Sequence, residues 1–175
     1  MNRIFERYKE LADKAELSNG TKRSKDWFRK LVSSEPHIHN IDRIGKNLQT
    51  VSKMRPGLLV TYEYDAKLKD KLRFWDRFPL IFVLDVTRDG WTGLNVHYLH
   101  PLQRAKLFYD YQKNGKAFID HDIGKRASKR YLASHVVTRP KEIPKDLWEI
   151  AIQLPFENFQ GMSSKGVWNQ TSRKK

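Results

Sequence analysis

From Leu58 onward the chain alternates. Leu58, Val60, Tyr62 and Tyr64 fall on one side of a two-residue period, and Leu59, Thr61, Glu63 and Asp65 fall on the other. That period predicts a strand, opened by the turn residues Pro56-Gly57. A charged stretch from Asp65 to Arg73 follows. Phe78-Pro79 then leads into Leu80 to Val86, which is apolar on both faces and is predicted as an interior strand. Thr87-Arg88-Asp89-Gly90 reads as a hairpin turn, because Asp-Gly readily supplies the positive φ such turns need. Trp91 to Leu99 is the expected returning strand, and Gly93 within it marks a bulge or a close backbone contact.

Around this meander the period changes to that of helices. Ile4, Tyr8, Leu11 and Ala15 predict an amphipathic helix to about Leu17, stopped by Asn19-Gly20. Ser24 can cap a second short helix carrying Trp27, Phe28, Leu31 and Val32. His37 to Lys53 reads as a linker or short helix. Beyond the meander, Pro101 suits the first position of a helix whose buried face is Leu102, Ala105, Leu107, Phe108 and Tyr111. Lys125 to Leu132 is expected to be another helix, and Val136-Val137 a brief strand. Alternation of Trp148, Ile150, Ile152 and Leu154 predicts a last strand, closed by Pro155, which has no donor for the ladder. Phe156 to Met162 reads as a loop, and Ser163 to Lys175 as a helical or frayed basic tail.

Strand runs and helix runs are segregated, which argues α+β with an antiparallel sheet. The expectation is a small, partly open, barrel-like sheet with flanking helices. An N-terminal helical arm and linker would span 1–54, a single α+β core 55–162, and a basic tail 163–175. With 175 residues, a chain of this size buries roughly 70% of its unfolded surface and needs no covalent staple.

Charge changes the picture most. The formal net charge is +14 and the pI about 10.0, so an anionic partner is expected: nucleic acid or an acidic protein surface. There is no cysteine, which excludes disulfides, thiolate zinc sites and cysteine nucleophiles. No apolar run approaches the ~18 residues of a spanning helix, and Met1 to Leu17 lacks the apolar core of a signal peptide, so no membrane partner is expected.

Cations gather between Arg104 and Lys145 with few acids among them. Phosphate binding needs many cations at no fixed spacing, which makes Arg104, Lys125, Arg126, Lys129, Arg130, Arg139 and Lys141 the candidate nucleic-acid contacts. Tyr131 is added as a ring on which a base could stack, with Tyr109 and Tyr111 beside it. The alternative for all of them is a solvated helix face over core tyrosines. No zinc-finger, helix-turn-helix or RNP-type pattern supports reading of base sequence.

Other constellations are weaker. His37 with His39, His97 with His100, and Asp120-His121-Asp122 hold ligand-type residues, but no spacing enforces a third or fourth ligand, so no metal or other cofactor is expected. His97 reads as a strand residue satisfied by a hydrogen bond. Asp65-Ala66-Lys67, with Glu63 and Asp42, faintly resembles the acid-x-Lys end of a metal-dependent nuclease site, against a bland reading as a charged hairpin tip. No catalytic residue is assigned. Trp75, Phe78 and Trp91 are expected to cap one end of the sheet, and a groove over an exposed Trp75 is the alternative.

Four stretches carry a resemblance: Arg55-Pro56-Gly57 with the alternation to Tyr64; Asp65-Ala66-Lys67 with Lys69-Asp70; Leu72-Arg73-Phe74-Trp75-Asp76-Arg77-Phe78-Pro79-Leu80; and Gly90-Trp91-Thr92-Gly93-Leu94-Asn95-Val96-His97-Tyr98-Leu99. A later echo is Trp148 to Pro155 with Phe159, Gly161 and Val167-Trp168. Together they resemble a family of small virion-associated proteins of tailed, T-even-like bacteriophages, over about two thirds of the chain from Arg55 onward. The resemblance implies a phage origin, a place in the virion or the host cytoplasm, and other virion proteins as partners. It carries over no catalytic residue. Two functions follow as expectations. One is a non-enzymatic protein that binds nucleic acid through phosphates or lies near packaged DNA. The other is an assembly component of the neck, tail or baseplate, docking through its N-terminal arm.

Overall fold

The computed structural model describes residues 48–114, 121–152 and 157–173. The N-terminal helices predicted before Leu48 therefore lie outside the described residues. Eight strands are found among those described: β1 (Gln49–Thr50), β2 (Leu59–Thr61), β3 (Trp75–Asp76), β4 (Leu80–Thr87), β5 (Gly90–Asn95), β6 (Ser128–Leu132), β7 (Lys141–Glu142) and β8 (Phe159–Gln160). With them run helices α1 (Pro101–Asn114), α2 (His121–Ala127), α3 (Trp148–Ala151) and α4 (Ser164–Ser172). The α+β expectation holds. Six strands form one antiparallel sheet in the order β1-β7-β2-β4-β5-β6, and β3 and β8 form a separate antiparallel pair. The sheet is open. The barrel-like curvature expected from short strands does not close it.

The alternation of the sequence is what divides the core in two. On β2 and β4, Leu59, Leu80 and Phe82 face one way, toward Leu107 and Phe108 of α1 and Trp148 of α3. Leu58, Val60, Ile81 and Val83 face the other, toward Tyr62, Tyr64, Trp91 and Tyr131. Each fully buried aliphatic side chain contributes roughly 1.5–3 kcal/mol. The second face is held as much by ring geometry as by area. Tyr64 and Tyr131 meet edge to face at 5.0 Å, Tyr62 and Trp91 at 5.4 Å, and the Trp91 indole donates to the Tyr62 hydroxyl at 2.9 Å. β4 is interior only in its first half; past the irregularity at Val83 and Asp85 it projects, leaving Leu84 and Val86 exposed.

Four expectations need correction. The returning strand stops at Asn95, not Leu99, because the Asn95 side chain accepts from the His97 amide at 3.0 Å and starts a 3-10 turn over Val96–Tyr98. Lys125 to Leu132 is not one helix. α2 ends at Ala127, and Ser128 to Leu132 pair with β5, setting Tyr131 opposite Trp91. Pairing with a neighbour outweighs the helix propensity of Lys, Arg and Leu here. Trp148 to Ala151 is helical, not extended. Leu147, Trp148, Ala151 and Ile152 are all buried, at the i, i+1, i+4, i+5 spacing of a helix face. A separation of four, as between Trp148 and Ile152, satisfies both periods, which is why the segment reads as a strand. Finally, the Asp89-Gly90 hairpin forms, with Thr87 opposite Gly90, but Gly90 is not in the left-handed region. Its need for glycine is space: a Cβ there would stand 1.9 Å from the Tyr131 carbonyl oxygen. Gly93 is the same case, 2.0 Å from Ile81 Cγ2, as its position predicted.

The segment from Ser163 is helical, with the Ser163 hydroxyl accepting from the Gly166 amide and Val167, Trp168 and Thr171 buried. Gly90→Ala forces β5 and β6 apart at their first paired residues. It should destabilise the fold by about 1–3 kcal/mol, the cost of overpacking. Urea unfolding followed by tryptophan fluorescence measures the loss.

Candidate nucleic-acid interface

The charged stretch after β2 folds over the face of the sheet and encloses a cleft against β6. Ala66 is buried and anchors its start. Turn hydrogen bonds follow: Lys69 N donates to Ala66 O at 3.0 Å, and Lys71 N to Leu68 O at 2.8 Å. Phe74 anchors its end, 5.8 Å from the ring of Tyr98 and 6.4 Å from that of Phe159. Gly161 (φ +83°) lets the β8 turn pass close by: a Cβ there would lie 2.5 Å from the Arg73 carbonyl oxygen.

The cleft has a volume of about 680 Å³. Lys67 and Arg73 stand on its loop side, Lys129 and Arg130 on its strand side, and Phe74, Trp75 and Tyr98 between them. Two acids line it. Asp89 is paired with Arg130 at 2.7 Å, and Asp76 is buried. Lys129 is half-buried, its ammonium 4.7 Å from the Tyr98 ring centroid. Burial lowers its pKa, and among the described residues no carboxylate bridges to it.

Asp76 joins the cleft to the frame. Its Oδ1 accepts from the amides of Phe78 and Asn158, both at 3.2 Å. Its Oδ2 accepts from Asn95 Nδ2 at 3.1 Å and lies 2.7 Å from His97 Nδ1. Burial opposes the charge, but the His97 ring, with the Asn95 and Asn158 donors, more than offsets it, and the pKa falls below the usual aspartate value. His97 is buried as expected of a hydrogen-bonded histidine, though in the 3-10 turn, and its Nε2 has no partner among the described residues.

The predicted contact residues are scattered. Arg104 is 1% exposed and cannot reach a phosphate. Its guanidinium donates to Leu99 O at 2.8 Å and His97 O at 3.0 Å and pairs with Glu157 at 3.5 Å. Tyr131 is also buried, its hydroxyl accepting from Asn95, so it offers no face to a base. Tyr111 packs on Phe82 and Trp148. Lys125 is exposed on α2, while Arg126 Nε is held by the Thr171 carbonyl at 2.7 Å. Lys129 and Arg130 enter the cleft. Arg139 and Lys141 lie toward the other side of the sheet, Lys141 on β7 with its ammonium on Thr50 at 2.7 Å. The sequence reading of the basic set missed Lys67 and Arg73, though the groove over Trp75 was its alternative for that ring. Their signal was present as a cation next to paired aromatics, Arg73-Phe74-Trp75.

The nuclease-like acids do not gather. Glu63 is held by Arg77 at 2.7 Å and Asp65 by Lys69 at 2.9 Å, while Asp42 lies outside the described residues. Among the described residues no three His, Asp or Glu side chains converge on a metal position, and no helix is long and apolar enough to cross a membrane. His37, His39 and Asp120 lie outside them.

With a basic cleft on a phage-like core, the comparison with family models decides the kinship: residues 2–119 match the model described as phage T4 terminal DNA protecting protein. The chain belongs to that family. The match contains β1 to β5 and α1, and it includes the loop side of the cleft but not β6. The resemblance to T-even-like phage proteins is therefore correct as to the family; the match covers its stretches from Arg55 to Leu99 and not the echo at Trp148 to Trp168. No curated protein and no solved structure matches the chain.

Asp76→Asn leaves donors from four segments facing a neutral amide. Near neutral pH it should cost about 3–5 kcal/mol, as when one member of a buried charged network is removed. A carboxylate with a lowered folded pKa contributes stability above the ordinary value of about 3.9 and loses it as pH falls through the folded pKa. The gap between wild type and variant should therefore narrow below about pH 4. Urea unfolding of both at pH 7 and pH 3 checks this, and an unchanged gap would mean that Asp76 carries no charge in the fold.

Proposed function

We propose that the protein is a non-enzymatic phage protein that binds DNA through phosphates, without reading base sequence, and that it acts at DNA ends. The observation that carries this reading is the cleft. Cations rise on two opposite sides of it, and half-buried aromatic rings lie between. Cations attract any nucleic acid by releasing its counterions. Rings accept any base, because every base has a π-face. Neither contact reads sequence. The family's description as terminal DNA protecting and the net charge of +14 support the same reading. On this reading Lys125, exposed on the helix leading into β6, extends the basic surface beyond the cleft. Retention in the virion, close to packaged DNA, follows naturally for a protein of this kind.

Four phosphate contacts give a log–log salt slope of about −3.6, a loss of roughly a hundredfold in affinity between 50 and 200 mM salt. Fluorescence anisotropy with a labelled duplex measures it. Lys67→Ala with Arg73→Ala should flatten the slope by about two. A linear duplex should compete better than a relaxed circle of the same sequence, and DNA incubated with the protein and magnesium should stay intact. Binding indifferent to salt, or cleavage, would overturn the reading.

A further inference from the structure

The cleft is too small for a duplex and well sized for part of one strand. At about 680 Å³ it falls within the range of ~300–1,000 Å³ that engulfs a small ligand. Double-stranded DNA, whose major groove alone is about 12 Å wide, stays outside. What enters must be unpaired. Within a duplex that means rotating a nucleotide out of a stack that holds it from both sides. The last nucleotide of a strand has a stacking neighbour on one side only, so it opens most readily.

The lining matches a nucleotide part by part. Phe74 and Trp75 are half-buried and consecutive, on the stretch that runs from the loop into β3. Tyr98 closes the space below them, its ring 5.8 Å from that of Phe74. Lys129 points into the same space with a ring and a carbonyl as its neighbours, and an oxygen anion is the partner its ammonium lacks. Lys67 and Arg73 on one side and Arg130 on the other put cations at the mouth, where the sugar-phosphate backbone would leave. The two acids do not repel it strongly: Asp89 is spent on Arg130, and Asp76 lies beneath the surface under its own donors.

We propose that this cleft takes the terminal nucleotide of a DNA strand, unpaired from its complement, with its base against Phe74 and Trp75 and its phosphate between Lys129 and the cations of the mouth. The inference rests on the reading that the protein binds DNA, and it says how an end differs from any other stretch. The interior of a duplex meets only the rim. An end fills the cleft, and the captured nucleotide is covered by protein on several sides.

The test uses the full chain and three DNAs of one sequence: an open duplex, the same duplex closed at both ends by hairpin loops, and open duplexes carrying 5-iodouracil at the last or the sixth position of either strand. The open form should bind about tenfold more tightly than the closed one, the scale of one base stacked on an aromatic ring. Irradiation should cross-link the terminal iodouracil to the peptide containing Phe74 and Trp75, or to that containing Tyr98, and should not so link the sixth. Trp75→Leu should abolish the preference for open ends, lowering binding of the open form far more than that of the closed one. Loss of fold would weaken both alike. Lys67→Glu with Arg73→Glu, on exposed side chains, should weaken both forms, because both meet the mouth, and the open form more. Equal, salt-sensitive binding of open and closed DNA overturns the inference and leaves DNA binding standing. A preference for open ends with cross-links away from the cleft also overturns it and leaves end recognition standing. Absence of binding to every form removes both.

Discussion

Asp76 is the point on which the described structure closes. A carboxylate at 3% exposure is costly to bury unless donors surround it, and here four do, drawn from the turn after β3, the end of β5, the 3-10 turn and the approach to β8. The farthest of those donors, Asn158, is 82 positions from Asp76 in the chain. The hydrophobic faces of the sheet would bring them near one another without fixing how they meet. The carboxylate fixes it. It makes the β3–β8 pair one body with the six-stranded sheet, and the corner so formed supports the floor of the cleft.

Arg104 performs the complementary task from the helical side. It gathers carbonyls of His97 and Leu99, donates toward Ile152 and pairs with Glu157, so α1 is bound to the 3-10 turn and to the chain beyond α3. Burial disfavours its charge, and Glu157 restores part of what burial removes. Trp168 of α4 lies 5.5 Å from the guanidinium and donates to the His97 carbonyl at 2.8 Å. His97 is thus held through its ring by an acid and through its backbone by a base and an indole. A charged residue in a basic sequence is easily taken for surface, and only the fold distinguishes a cation that waits for a ligand from one that completes the interior.

That difference explains what was legible in the residues. Period-two alternation around β2 and β4 determines which side chain faces which way, so the meander and its two-sided core could be read directly. Pro101 could be read as a helix start for the same reason: local chemistry decides it. Ser128 to Leu132 could not, because the strand exists only through its pairing with β5, far away in sequence. Trp148 to Ile152 failed for another cause, a spacing common to both periods. The cleft was half legible. Its rings and charges stand together in Arg73-Phe74-Trp75, but its other side, Lys129 and Arg130, was placed on a helix, and no pattern brings that side opposite the loop. The charge total pointed to an anionic partner without saying which cations were free to meet it.

Trp75 and Tyr64 line not only the large cleft but also a smaller hollow of about 330 Å³ bordered by Glu63, Asp65, Arg77 and Gln160. Trp75 and Tyr64 therefore stand between the two hollows and border both. Tyr64 is held there edge to face by Tyr62 and Tyr131. Without the indole that divide would rest on Tyr64 alone, and a chamber that can hold something would turn toward a channel along which it could slide.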